Sequence, residues 1–197
     1  MKKLANTEVE IDKLLSERWS PRAFDSNFLI DEKSIKSLME AARWAPSCFG
    51  DQPWRFVLFE KSDATYWTKA LNCLSVGNQN WAMDSSLLIA VCAHQYFDHN
   101  NELNRWAQYD TGAAAENICL QATSLSLKAH QMGGFDALKT KVLAAIPDDY
   151  DVMSFIAIGK SLQESEYNDE QRERETAPRK RKPLEELYFI NKWQDNS

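Results

Sequence analysis

The sequence contains no run of about 18 apolar residues, so no membrane-spanning helix is expected. Its opening, Met1-Lys2-Lys3-Leu4-Ala5-Asn6-Thr7-Glu8, lacks the apolar stretch of a secretory signal. The four cysteines, Cys48, Cys73, Cys92 and Cys119, are far apart and form no C-x-x-C pair. That suits free thiols in a reducing cytoplasm better than a disulfide frame or a zinc site. The histidines, His94, His99 and His130, are not spaced as metal ligands, and no H-E-x-x-H occurs. No G-x-G-x-x-G marks a Rossmann site, and no G-x-x-x-x-G-K-[ST] marks a P-loop. No nucleophile elbow, internal repeat or low-complexity tract occurs either. A Ser/His/Asp triad assembles in space and stays open, but the residues show no convincing acid–base or nucleophilic set. An enzyme with an anion cradle and no protein nucleophile often borrows its chemistry from a cofactor.

What is present is the composition of a soluble globular protein. The 197 residues are 44% hydrophobic and 26% charged, and that length is expected to make one domain, residues 1–197. Seven Trp and nine Phe exceed what a minimal core needs, so some can line a flat ligand site. The net charge of −6 and pI near 5.2 argue against a general nucleic-acid surface.

Against that acidic background, positive charge gathers at two places. Near the start stands Arg18-Trp19-Ser20-Pro21-Arg22. Pro21 fixes its own φ and pushes Ser20 toward an extended conformation. In an extended segment alternate residues share a face, so Arg18, Ser20 and Arg22 would point the same way. Two guanidiniums and a hydroxyl make a cradle for an anion, and phosphate suits the planar, bidentate fork of arginine. Near the end stands Arg179-Lys180-Arg181-Lys182-Pro183-Leu184. Two basic segments at opposite ends of an acidic chain suggest one anion site closed by both.

Apolar spacing supplies the elements. A rough helical stripe covers 8–17, and Asp31 caps a helix through Arg43 that Pro46 stops. Residues 54–60, 86–93 and 152–159 read as strands, the second buried on both faces. Residues 63–82 read as helical with a break near Gly77, and Ala137–Ile146 as a short helix. The longest helical pattern runs from about Trp106 to Gln131 and ends at Gly133-Gly134. Its small residues, among them Ala114, Ala115 and Cys119, suggest a core helix or an oligomer seam. Residues 162–177 are charge-dense without periodicity and read as a mobile excursion. The apolar tail, Leu184 to Trp193, should dock on its own subunit or on a partner. Helices interleaved with three or four strands imply α+β.

These motifs resemble the nitroreductase family. Arg18-x-Ser20-x-Arg22 resembles its FMN-phosphate motif, and Ala45-Pro46-Ser47-Cys48-Phe49-Gly50-Asp51-Gln52-Pro53 its second motif. His130-Gln131-Met132-Gly133-Gly134 resembles its flavin-edge loop, and Arg179-x-Arg181-x-Pro183-Leu184 its closing basic motif. The resemblance implies a mostly antiparallel sheet flanked by helices, in a homodimer with FMN sites at the interface. It implies an oxidoreductase that takes electrons from NADH or NADPH. The acceptor would be a nitroaromatic, a quinone or a similar electron-poor small molecule. Dehalogenation or dehydrogenation on the same scaffold, or flavin binding without turnover, are the alternatives.

By the same resemblance Arg18, Ser20 and Arg22 hold the FMN phosphate, with Arg179 or Arg181, and Trp19 belongs to the cofactor-binding set with both of these arginines. Pro46 and Ser47 reach the flavin from the partner subunit. Gln52 either meets the flavin or bridges backbone in the turn before Pro53. Gly133 and Gly134 would admit a backbone N–H to flavin N5, cap a helix, or do both. The family usually carries Asn where this chain has Gly50, so an amide donor is absent there or replaced by backbone. Cys48 is read as a small packing residue.

Overall fold

The apolar run at the middle of the sequence becomes the middle of the sheet. The computed structural model describes residues 3–193, so Met1, Lys2 and residues 194–197 lie outside the description. Strand β2 (Leu87–His94) pairs with β1 (Trp54–Glu60) on one side and β4 (Tyr150–Gly159) on the other. β3 (Lys128–Met132) completes the order β1-β2-β4-β3. Every neighbouring pair is antiparallel, with a bulge at Val91/Cys92. Successive side chains of a strand point to opposite faces, so a strand apolar at every position must be covered twice. Leu87, Ile89 and Val91 pack with Leu38, Ala42 and Ile118. Leu88 and Ala90 pack with Trp67, Trp81 and Phe155 on the other face.

Helices α2 (Glu32–Arg43) and α5 (Ala107–Ser124) cover the first face. Helices α3 (Ala64–Leu71), α4 (Val76–Ala82) and α6 (Ala137–Ala144) contribute to the second. Asp31 caps α2 as its sequence indicates, accepting the Ser34 N–H at 2.7 Å. The small residues Ala114, Ala115 and Cys119 of α5 are buried in the core cluster shared with α2. Two side-chain bonds staple the pair: Asn117 Nδ2 donates to the Ala41 carbonyl and Gln121 Nε2 to Ser37 Oγ. That face of α5 is therefore core and not an oligomer seam. Among the described residues no helix is long and apolar enough to cross a membrane.

Five expectations need correction. The 106–131 pattern is two elements: α5 stops at Ser124, the chain turns through Ser126 at φ 60°, and 128–132 is strand β3. The helical spacing runs on by coincidence, and pairing with β4 decides the strand. Gly133-Gly134 thus follows a strand and caps no helix. The 63–82 break falls at 72–75, not at Gly77, because Leu74 bridges Phe135 and the Ser75 N–H bonds to the Gly134 carbonyl. Only Lys13–Glu17 of the 8–17 stripe is helical (α1). Residues 162–177 are no irregular excursion. They hold a short turn and helix α7 (Asp169–Thr176), begun by a reciprocal Asn168–Gln171 capping box that needs no apolar periodicity. The tail's Leu187, Tyr188, Ile190 and Trp193 are exposed within this chain, while Phe189 packs against Trp193.

Overpacking a dense core costs about 1–3 kcal/mol. Ala115 is 2% exposed where α5 lies on the core. Ala115→Leu is expected to lower unfolding free energy by about that amount, read as a shifted denaturant midpoint at unchanged m-value. An unchanged midpoint would show that the α2–α5 seam is looser than described.

Candidate functional site

Along the stretch from Arg18 to Ala23 burial alternates as the proline predicts. Trp19, Pro21 and Ala23 are buried, whereas Ser20 and Arg22 are exposed and Arg18 is half-buried. Backbone bonds hold it beside the end of β4: the Asp25 N–H donates to Lys160 O, and the Leu162 N–H to Ala23 O. The buried residues dock the segment, so the polar ones face outward together. The Arg18 guanidinium lies 3.4 Å from Ser20 Oγ and pairs with Glu116 of α5 at 3.3 Å.

The closing basic segment arrives at the same place. Arg179 donates to the carbonyls of Lys3 and Ser16, at 3.1 and 2.9 Å, which ties the chain's beginning to its end. Arg18, Ser20, Arg22, Arg179 and Arg181 all line one cavity of about 260 Å³, joined there by Lys3, Trp19, His130, Arg174 and Glu175. Trp19 enters as a buried ring with the Lys3 ammonium 4.9 Å above it.

The electrostatics of this cavity are those of surplus positive charge. Burial lowers the pKa of Arg179, and the neighbouring Arg18 and Arg181 lower it further. Burial lowers Lys3, with Glu175 opposing and Arg179 adding to the effect. Burial also lowers His130, whose ring nitrogen Nδ1 contacts the Pro21 carbonyl, and Arg22 and Arg18 lower it too. Burial and neighbouring cations both disfavour the charged forms of Lys3, His130 and Arg179, so a nearby anion would be favoured. Among the described residues no carboxylate pairs with the Arg22 guanidinium, which lies 5.9 Å from the Trp81 ring.

The remaining site residues lie elsewhere in this chain. Pro46, Ser47, Gln52, Gly133 and Gly134 do not line the cavity. The 46–52 loop is anchored six residues earlier on α5 than Arg18's partner, about 9 Å along the helix axis. There buried Asp110 accepts the Cys48 N–H at 2.9 Å. Phe49, Gly50 and Gln52 all have positive φ, at 54°, 70° and 52°. Position 50 thus needs the left-handed region, which Gly enters freely and Asn tolerates. Within the chain Gln52 takes its bridging role: its N–H donates to Ser47 Oγ and its Nε2 to the Gly50 carbonyl. Phe49 projects outward, 83% exposed.

The two glycines after β3 differ. A Cβ on Gly133 would meet nothing within 4 Å, so its backbone is open to approach. A Cβ on Gly134 would lie 2.7 Å from Ser75 Oγ and 2.9 Å from Asn78 Nδ2, so Gly134 serves the packing of α4. Sequence reasoning missed Lys3, Arg174, Glu175 and Asp110. Asp110 left a signal, a carboxylate on the small-residue face of a helix. Lys3 left none, since its bond to the Glu175 carbonyl spans 172 positions.

The fold is α+β, and the two basic segments meet around one cation-lined cavity. Comparison with known proteins names the class. The sequence profile of the nitroreductase family matches residues 15–79 and 66–160. The crystal structure of an oxidoreductase containing FMN is 34% identical, with 96% of each chain covered and a TM-score of 0.88. An oxygen-insensitive NADPH nitroreductase of Helicobacter acinonychis (strain Sheeba) is 25% identical over 188 residues, 78% of this chain and 88% of the relative. The structure of an FMN-dependent nitroreductase from Clostridium difficile R20291 shares the fold at 21% identity and a TM-score of 0.70, covering 91% of this chain and 98% of that one. The chain belongs to the nitroreductase family. It is an oxidoreductase of a class that works with FMN and NAD(P)H.

The glycine contrast is testable. Gly134→Ala is expected to destabilise by about 1–2 kcal/mol through the forced shift of Ser75 and Asn78, and Gly133→Ala by less than about 0.5 kcal/mol. Thermal unfolding of the two variants reads the difference; equal losses would place the constraint elsewhere.

Proposed function

We propose that this chain binds FMN and uses NADH or NADPH to reduce an electron-poor acceptor such as a nitroaromatic or a quinone. The observation that carries the reading is the meeting of the two basic segments around one cavity. The donor set fits a phosphate monoester: arginine forks, a serine hydroxyl and a lysine, with no carboxylate on the Arg22 guanidinium among the described residues. When bound, FMN supplies the two-electron redox chemistry.

The protein's part is to bind, orient and leave room. Arg18, Ser20, Arg22, Arg179 and Arg181 would hold the phosphate, and buried Trp19 holds that segment against the core. The open backbone at Gly133 would let the flavin edge approach the main chain. The exposed 46–52 loop, about 9 Å along α5, would bring Pro46, Ser47 and Gln52 to the flavin of a partner subunit. A second copy would also cover the exposed tail. Homodimerisation with a shared site is therefore part of the proposal. Sedimentation at micromolar concentration is expected to give a dimer when FMN is bound; an FMN-loaded monomer would sink this part.

Arg22 tests the phosphate assignment. A hydrogen bond to a charged group contributes about 1.5–3 kcal/mol, and about 1.4 kcal/mol is tenfold in affinity. Arg22→Ala is expected to weaken FMN binding by about ten- to a few hundredfold, and Arg22→Lys, which keeps charge but loses the fork, by less. Riboflavin, lacking the phosphate, should bind wild type and Arg22→Ala alike. Unchanged FMN retention by Arg22→Ala, or an equal loss for riboflavin, would remove Arg22 from the site.

A further inference from the structure

One wall of the cation-lined cavity is a carboxylate. Glu175 sits near the end of α7, only 2% exposed, on a helix that reads in sequence as surface charge. Its Oε1 accepts the backbone N–H of Arg22 at 2.9 Å, and its Oε2 is buried with no hydrogen-bond partner. Its backbone carbonyl accepts the Lys3 ammonium at 2.8 Å. A buried negative charge beside an anion site opposes the anion it borders, unless it can be neutralised.

The neighbours decide how it responds. Lys3 from the opening of the chain and Arg174 from its own helix face it as charges, and Arg22 of the extended segment meets it through its main-chain N–H. Tyr167 from the connection after β4 also feels its charge. Burial pushes the Glu175 pKa up; the Arg22 amide, Lys3 and Arg174 pull against burial. Lys3 and Arg174 line the same cavity as the arginines that would hold the phosphate. Once their charge is shared with a dianion, less of it remains to hold Glu175 ionised, and the dianion itself favours the neutral acid.

We propose that Glu175 is a positioning residue that couples phosphate binding to proton uptake. It fixes the main chain of Arg22 through Oε1, and it takes up a proton when the cavity receives its phosphate. The inference rests on the FMN reading and deepens it. Binding that takes up a proton strengthens as pH falls. Affinity should therefore be highest below the free-state pKa of Glu175 and decline as pH rises toward the bound-state value. Glu175→Gln keeps an acceptor for the Arg22 amide and cannot ionise, so it imitates the protonated state.

The experiment is FMN titration by calorimetry of the full-length apoprotein and its Glu175→Gln variant. It is run from about pH 5 to 9 in two buffers of different ionisation enthalpy, which reads protons bound per FMN. His130 and the ionisation of the phosphate contribute to both proteins alike. Wild type is expected to take up as much as about one proton more than the variant, and its affinity to fall relative to the variant by up to about tenfold per pH unit in that window. Riboflavin should evoke no such uptake in wild type, a readout that needs no variant. Equal proton counts and parallel pH profiles with FMN bound would overturn the role of Glu175 while leaving the FMN reading intact. Failure of both proteins to bind FMN would overturn that reading, and this inference with it.

Discussion

The antiparallel pairing of β2 with β4, buried on both faces, is the constraint on which the rest depends. A ladder with apolar side chains on both surfaces is stable only inside two further layers, which α2 with α5 and α3, α4 and α6 provide. The same ladder sets where the chain leaves the sheet. β4 ends at Gly159, and residues 160–162 immediately engage Ala23 to Asp25. The cation-lined cavity therefore sits at an end of the central strand pair, and the Arg18–Arg22 segment leads directly into Ala23 to Asp25, which bond to the chain just beyond β4.

Holding several cations around one small cavity runs against their mutual repulsion. The chain limits that cost in ways visible in the hydrogen bonding. Glu116 takes part of the charge of Arg18, and the carbonyls of Lys3 and Ser16 satisfy Arg179. Glu175 is placed behind Arg22, where it braces the main chain and leaves the guanidinium free of it. Preorganisation of this kind moves cost from the binding step into folding, which is how a site keeps affinity for a charged ligand. Helix α7 is part of the device, since both Arg174 and Glu175 come from it.

The fold was legible where a local pattern and the tertiary environment agree. Asp31 caps α2, the apolar run becomes β2, and the proline-set alternation of 18–23 faces Arg18, Ser20 and Arg22 outward together. It was misleading where the two disagree. Leu125 and Ala129 continue a helical spacing, yet Ser126 turns the chain and β4 recruits 128–132 as a strand. Helix α7 was hidden for the opposite reason. Its stability lies in end caps and its contact with the chain's beginning, not in an apolar stripe.

Sequence by itself determined the ingredients of the cation-lined cavity: the chemistry of Arg18, Ser20, Arg22, Arg179 and Arg181, and their order along the chain. Residue type and near-neighbour geometry suffice for that, because side-chain chemistry and the restriction by Pro21 are local. Only the tertiary structure decided which parts share a cavity. It joined Lys3, Arg174 and Glu175 to the arginines, left Pro46, Ser47 and Gln52 outside on α5's other anchor, and gave Gly134 to packing and Gly133 to open space. The physical reason is distance along the chain. Contacts spanning 153 to 176 positions, such as Glu175 to Arg22 and Arg179 to Lys3, follow from the closure of the sheet and its layers, and no local pattern encodes them.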